Sequence, residues 1–129
     1  MGHWVSRYYT DPNYSPDHTQ PSKFEPGFGF QGERKEREMI ATEEEMSSAK
    51  LHPRDRDYCA HKLIAFNACK RKEWPLAYKC AHEKHELMNC QYEDYMIRMR
   101  EYERERRLLQ RQKRLDEKER RLAAEELAA

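Results

Sequence analysis

Glycine is scarce in this chain: there are four in 129 residues, and none follows Gly32. Proline is nearly as scarce over the same stretch, with only Pro53 and Pro75 after Pro26. Residues 33–129 therefore have a helical composition with two interruptions, and no glycine-rich phosphate loop can be built there. Long apolar runs are missing as well. The strongest cluster, Leu63-Ile64-Ala65-Phe66, falls far short of the roughly 18 residues that span a bilayer. The start, Met1-Gly2-His3-Trp4-Val5-Ser6, lacks the charged opening and apolar core of a secretory signal. Charge of one sign is not in excess: the net charge is +1 although 38% of residues are charged. That balance argues against binding nucleic acid through a large basic field. No G-x-S-x-G elbow, Cys-x-x-Cys pair or nucleophile–base pair occurs, so no catalytic residues and no cofactor are expected.

Cysteine is also rare, but the four present are ordered. Cys59 and Cys69 enclose nine residues, and so do Cys80 and Cys90. If each segment is an α-helix, its two cysteines stand roughly 15 Å apart along the axis. A disulfide needs Cα atoms about 4.4–6.8 Å apart, so neither pair can close on itself. Both sulfurs of a helix lie within roughly 80° of one another and can face one neighbour. Pairing Cys59 with Cys80 and Cys69 with Cys90 needs parallel helices, whereas the short connection 70–79 joins antiparallel ones. The expected disulfides are therefore Cys59–Cys90 and Cys69–Cys80. Structural zinc favours closer ligand spacing, C-x2–4-C, and no metal is expected. His82-Glu83-Lys84-His85 places its histidines at i and i+3 rather than the i and i+4 of H-E-x-x-H, and with His61 these read as surface residues.

The hairpin has a periodic face. Cys59, Leu63, Phe66 and Cys69 follow steps of four, three and three, and Cys80, Leu87 and Cys90 repeat that face. Cys59-Ala60-His61 also matches Cys80-Ala81-His82, which suggests two similar half-motifs packed together. The first hairpin helix is expected over 54–72, and Pro75 suits the first turn of the second. Met88, Tyr92, Tyr95, Met99 and Tyr102 continue a heptad-like seam beyond anything the first helix can cover, so they are candidate docking residues. Beyond the seam, Leu108, Leu115 and Leu122 are spaced seven apart in a charged helix running to about Leu127. The arginines over 104–107 and 111–114 alternate with acids and read as a solvated face rather than an RNA site.

Two flanking regions complete the chain. Glu33–Leu51 is rich in helix formers, with a thin stripe of Met39, Thr42, Met46 and Ala49. Residues 1–32 hold all the glycines, four of the six prolines and several aromatic rings. This extended arm is either a disordered tail or a segment that buries its rings along a partner. Gly2 and Ser6 match M-G-x-x-x-[ST], the N-myristoylation pattern, which short sequences also match by chance. The expected architecture is all-α: a disulfide-stapled antiparallel hairpin with a long charged C-terminal helix and an extended N-terminal arm. Its segments are 1–32, 33–52, 54–94 and 95–129.

The twin Cys-x9-Cys resembles the coiled-coil-helix–coiled-coil-helix proteins of the mitochondrial intermembrane space. Three further stretches sharpen the match: Glu33-Arg34-Lys35-Glu36-Arg37-Glu38-Met39, Asp57-Tyr58-Cys59-Ala60-His61 and Glu103-Arg104-Glu105-Arg106-Arg107-Leu108-Leu109-Gln110-Arg111. These resemble the subunit 7 family of the beta subcomplex of mitochondrial NADH:ubiquinone oxidoreductase (complex I), over roughly 27–114. The resemblance implies a non-catalytic accessory subunit, peripheral to the inner membrane on the intermembrane-space side of the distal membrane arm. It implies other membrane-arm subunits as partners and a myristoyl group on Gly2. It also implies transient contact with an oxidative import relay, for which Leu63, Phe66 and Cys69 are the candidates. A free assembly factor or a metal or redox chaperone of the same hairpin type is the alternative. A metallochaperone would want cysteines beyond the four, and the sequence has none.

Overall fold

The computed structural model describes residues 5–32 and 37–129. Gly2 lies outside the described residues, as do 33–36 of the charged stretch that opens the expected first helix. Among the described residues there are three α-helices and no strand: α1 (Glu43–Ser48), α2 (Ala60–Lys72) and α3 (Ala81–Ala128). Short 3-10 turns occupy Pro53–Asp55 and Ala77–Cys80, and a π-type turn occupies Ser6–Thr10. The chain divides into two compact units, one spanning Glu33–Arg98 and one combining Met1–Gly32 with Met99–Ala129.

In the Glu33–Arg98 unit, α1 is much shorter than composition suggests. Residues 37–42 are not helical. Thr42, expected as a stripe position, is the N-cap: its side chain accepts from Glu45 N–H at 3.2 Å, and Glu45 Oε2 accepts from Thr42 N–H at 3.1 Å. This reciprocal box satisfies two orphan amides and fixes where the helix starts. Upstream, the Arg37 guanidinium lies 3.5 Å over the Tyr58 ring and 3.3 Å from Asp94. Those contacts outweigh the small intrinsic helix propensity of 37–42. Met39 is consequently exposed rather than part of a buried stripe.

The exit of α1 is equally defined. Lys50 takes φ +54°. Lys50 N–H donates to Ser47 O and Leu51 N–H to Met46 O, at 3.0 and 3.1 Å. This is a Schellman ending, in which the residues at its two ends usually meet through an apolar contact. Here Met46 and Leu51 share the core with Ala41 and Ala60, and Ala49, Leu63 and Ile64 pack against them.

Both hairpin helices start later than expected. Asp57 closes a turn ahead of α2, its Oδ1 accepting from Cys59 N–H at 3.1 Å and its carbonyl from Ala60 N–H at 3.1 Å. Residues 54–59 thus form turns, and α2 begins at Ala60. Pro75 sits in the connecting turn, after a cis peptide from Trp74, and α3 follows the turn Ala77–Cys80.

In the other unit, the arm folds back on α3. Lys113 donates to Asp11 and Tyr14 O–H to Asp116, each at 2.7 Å. The arm then reverses, so that Ser22 donates to Glu105 at 2.5 Å and Arg104 to the carbonyls of Glu25 and Phe28 at 3.1 and 2.9 Å. Neither of the two readings of the arm describes residues 5–32 here: they are seated on a helix of their own chain, and Tyr8, Tyr9, Phe28 and Phe30 stay exposed. Leu109 is buried in this unit, whereas Leu115 and Leu122 of the heptad series are exposed.

Candidate functional site

The hairpin is closed by Cys59–Cys90 and Cys69–Cys80, each with Cα atoms 5.9 Å apart. Each helix contributes one cysteine from its start and one from further along. The early cysteine of one bonds the late cysteine of the other, as antiparallel helices require. Cys59 and Cys80 are fully buried. The repeated Cys-Ala-His words diverge after the cysteine, since Ala60 is buried in the core and Ala81 is exposed. Across the hairpin Lys62 donates to Glu86 at 2.7 Å, and His82 Nε2 lies 3.2 Å from the same carboxylate. The Lys62 hydrogen bond, more than any other influence, holds the Glu86 carboxyl below its usual range. Glu83 lies beside the Cys69–Cys80 sulfurs, all within 4.8 Å. Those sulfurs are bonded to one another, whereas metal ligation takes free thiolates.

The candidate import residues fall together on α2. Leu63 and Phe66 are half-buried ahead of Cys69, and the Phe66 ring carries the Lys70 ammonium at 4.5 Å.

The candidate docking seam lies along α3, and the structure divides it. Met88, Tyr92, Tyr95 and Met99 are exposed. Tyr102 is half-buried. With Met99 it lines a cleft shared with Asp11, Tyr14, Ser15 and Pro16 of the arm. The last step of the seam thus meets residues 11–16 of the chain's own arm. The neighbouring arginines have local work: Arg106 and Arg107 donate to Glu103, and Arg104 holds the arm. Arg106, acting chiefly through its hydrogen bond, holds the Glu103 carboxyl down to about 2.

Sequence reasoning missed the Arg37–Tyr58–Asp94 link and the anchors of the arm. No periodicity marks contacts between residues so far apart. The capping box at Thr42 and Glu45 does carry a local signal, T-x-x-E, which the stripe reading of Thr42 passed over.

A disulfide-stapled antiparallel hairpin of twin Cys-x9-Cys segments, extended by a long helix, defines the class as a coiled-coil-helix–coiled-coil-helix protein. Residues 40–102 match the family described as NADH-ubiquinone oxidoreductase B18 subunit (NDUFB7). The chain is 50% identical over 107 residues to "NADH dehydrogenase [ubiquinone] 1 beta subcomplex subunit 7" of Bos taurus, covering 83% of this chain and 77% of that protein. The protein of the same name from Mus musculus is 49% identical with the same coverage. That of Caenorhabditis elegans is 47% identical over 76% of this chain and 80% of its own length. The chain belongs to this beta subcomplex subunit 7 family.

Proposed function

We propose that this protein is a non-catalytic accessory subunit of mitochondrial complex I. In this reading it is peripheral to the inner membrane on the intermembrane-space side, where it stabilises the distal membrane arm. The observation that carries the reading is the exposed run Met88, Tyr92, Tyr95 and Met99 on a cross-linked hairpin. The names of the relatives support the complex. Large side chains held in water on one helix face gain about 1.5–3 kcal/mol each when fully buried, less the ordering cost of association. Neighbouring membrane-arm subunits are the proposed cover.

Two subsidiary roles belong to the same reading. Leu63 and Phe66 flank Cys69 as the recognition face for an oxidative import relay that would install the disulfides. Gly2 would carry a myristoyl group, which by itself gives only marginal, reversible membrane binding. All four cysteines are in disulfides, leaving no spare thiol for the metal hand-over of a chaperone.

Blue-native separation of mitochondrial membranes tests the assignment. The chain should co-migrate with the full-size complex. Tyr92→Asp and Tyr95→Asp should release it with both disulfides intact, and Arg107→Glu should matter less. Seam variants that still co-migrate at wild-type abundance refute the docking role. Absence of the chain from the complex refutes the assignment itself.

A further inference from the structure

The hairpin turn has a composition that neither the disulfides nor the seam requires. Between Lys70 and Lys79 lie four cations and one carboxylate. The carboxylate, Glu73, is paired with Lys79 at 3.3 Å. Among the described residues no carboxylate pairs with Lys70, Arg71 or Lys72, and Arg71 and Lys72 are exposed. Amid these cations, Trp74 is 80% exposed and Tyr78 73%, and Leu76 is also exposed. Trp74 borders an open cleft of about 580 Å³ with Asn67, Lys70, Arg71 and Ala77. Hydration of a tryptophan at the apex of a turn costs free energy that nothing else in the hairpin recovers.

We infer that this turn is a membrane contact: Trp74, Leu76 and Tyr78 insert at the headgroup level of an anionic bilayer while Lys70, Arg71 and Lys72 bind its phosphodiesters. Two features favour a lipid surface over a protein groove. Tryptophan and tyrosine pair an apolar ring with one polar atom, which suits them to the membrane–water boundary. The positive charge, which has no carboxylate partner among the described residues although Lys70 also sits over the Phe66 ring, complements a negative leaflet, where each cation near the surface strengthens binding by about fivefold. The cleft supplies an indole wall, two cations and the Asn67 amide for one phosphate headgroup. The contact is independent of Gly2 and of the complex I assignment.

The test uses the full-length, oxidised and unacylated chain with vesicles of phosphatidylcholine alone or mixed in equal parts with phosphatidylglycerol. The chain should sediment with the mixed vesicles and not with phosphatidylcholine. In a Trp4→Phe background, Trp74 emission should shift to the blue and be quenched by brominated acyl chains. Lys70→Ala, Arg71→Ala and Lys72→Ala together should weaken binding on the order of a hundredfold, and Trp74→Ala by about tenfold. All four side chains lie outside the core, so near-wild-type circular dichroism and disulfide mapping should accompany the loss. The control Arg114→Ala, Lys118→Ala, Arg121→Ala removes equal charge from α3 and should leave binding unchanged. Failure to bind mixed vesicles overturns the proposal and leaves a protein as the cover of the turn. Equal weakening by the control triple overturns it as well. So does binding that inorganic phosphate competes away while Trp74 remains unquenched.

Discussion

Lys50 holds a left-handed backbone conformation, φ +54°, that glycine adopts without steric cost. Its side chain is exposed. Lys50→Gly should therefore stabilise the Glu33–Arg98 unit by about 0.5–1 kcal/mol, the relief of Cβ strain exceeding the entropy of the added freedom. Met46→Ala removes the buried partner of the same helix ending and should cost about 2–5 kcal/mol. Urea unfolding of both variants measures the opposite signs. Glu103 gives a pH prediction. Its carboxyl is held at about 2 against an ordinary 4.5, chiefly by the Arg106 hydrogen bond. The folded-state value is the lower one, so the ionised form favours the helix. That contribution is present above about 4.5 and is lost as the pH falls through about 2. Helicity followed by circular dichroism at low salt should fall across this window, and Glu103→Gln should remove that part of the change.

At the scale of elements, the two disulfides differ in the chain they enclose. Cys59–Cys90 spans a sequence separation of 31 and Cys69–Cys80 one of 11. Chain-entropy arguments make the longer loop worth about 1 kcal/mol more. Replacing Cys59 and Cys90 by serine should accordingly lower stability more than replacing Cys69 and Cys80, with each loss in the range of about 2–5 kcal/mol. Thermal unfolding of the two double variants, with the surviving bridge confirmed by peptide mapping, compares them. Equal losses would show that native packing around Cys59 and Cys80, rather than loop closure, sets the cost. The turn before α2 makes a smaller contribution. Asp57→Ala removes the acceptor of Cys59 N–H and should cost about 1 kcal/mol, as loss of a helix-entry hydrogen bond does.

For the whole molecule, the two units make separable predictions. The arm is tied to α3 by the Lys113–Asp11 ion pair and by hydrogen bonds in the unit it forms with Met99–Ala129. Deleting residues 1–32 should leave both disulfides and the core around Met46 intact, while hydrogen exchange accelerates in α3 around Leu109. Unchanged protection there would mean that the arm adds nothing to helix stability. Lipidation has its own measurement. Intact mass of the native protein should exceed that of the Met-removed chain by one myristoyl group, and Gly2→Ala should abolish the difference.

The sequence alone determined the helical class, the pairing of the cysteines and the family. The first two rest on short-range regularity, the nine-residue spacings and the absence of glycine after Gly32, and the family on the resemblance carried by the stretches 33–39, 57–61 and 103–111. The exposed steps of the seam were legible for the same reason, because a 3.6-residue period maps sequence directly onto a helix face. Tertiary structure decided what periodicity cannot encode. Helix propensity favoured a helix through 33–51; the local capping box at Thr42 starts α1 at Glu43, and it is the stacking of Arg37 on Tyr58, twenty-one positions away, that no local pattern marks. The arm was legible as irregular, yet its partners, Glu105, Lys113 and Asp116, lie about a hundred positions away at the extreme. Contacts at such separation have no local signature. They depend on which surfaces the folded helices leave free, and that is settled only when the chain has packed.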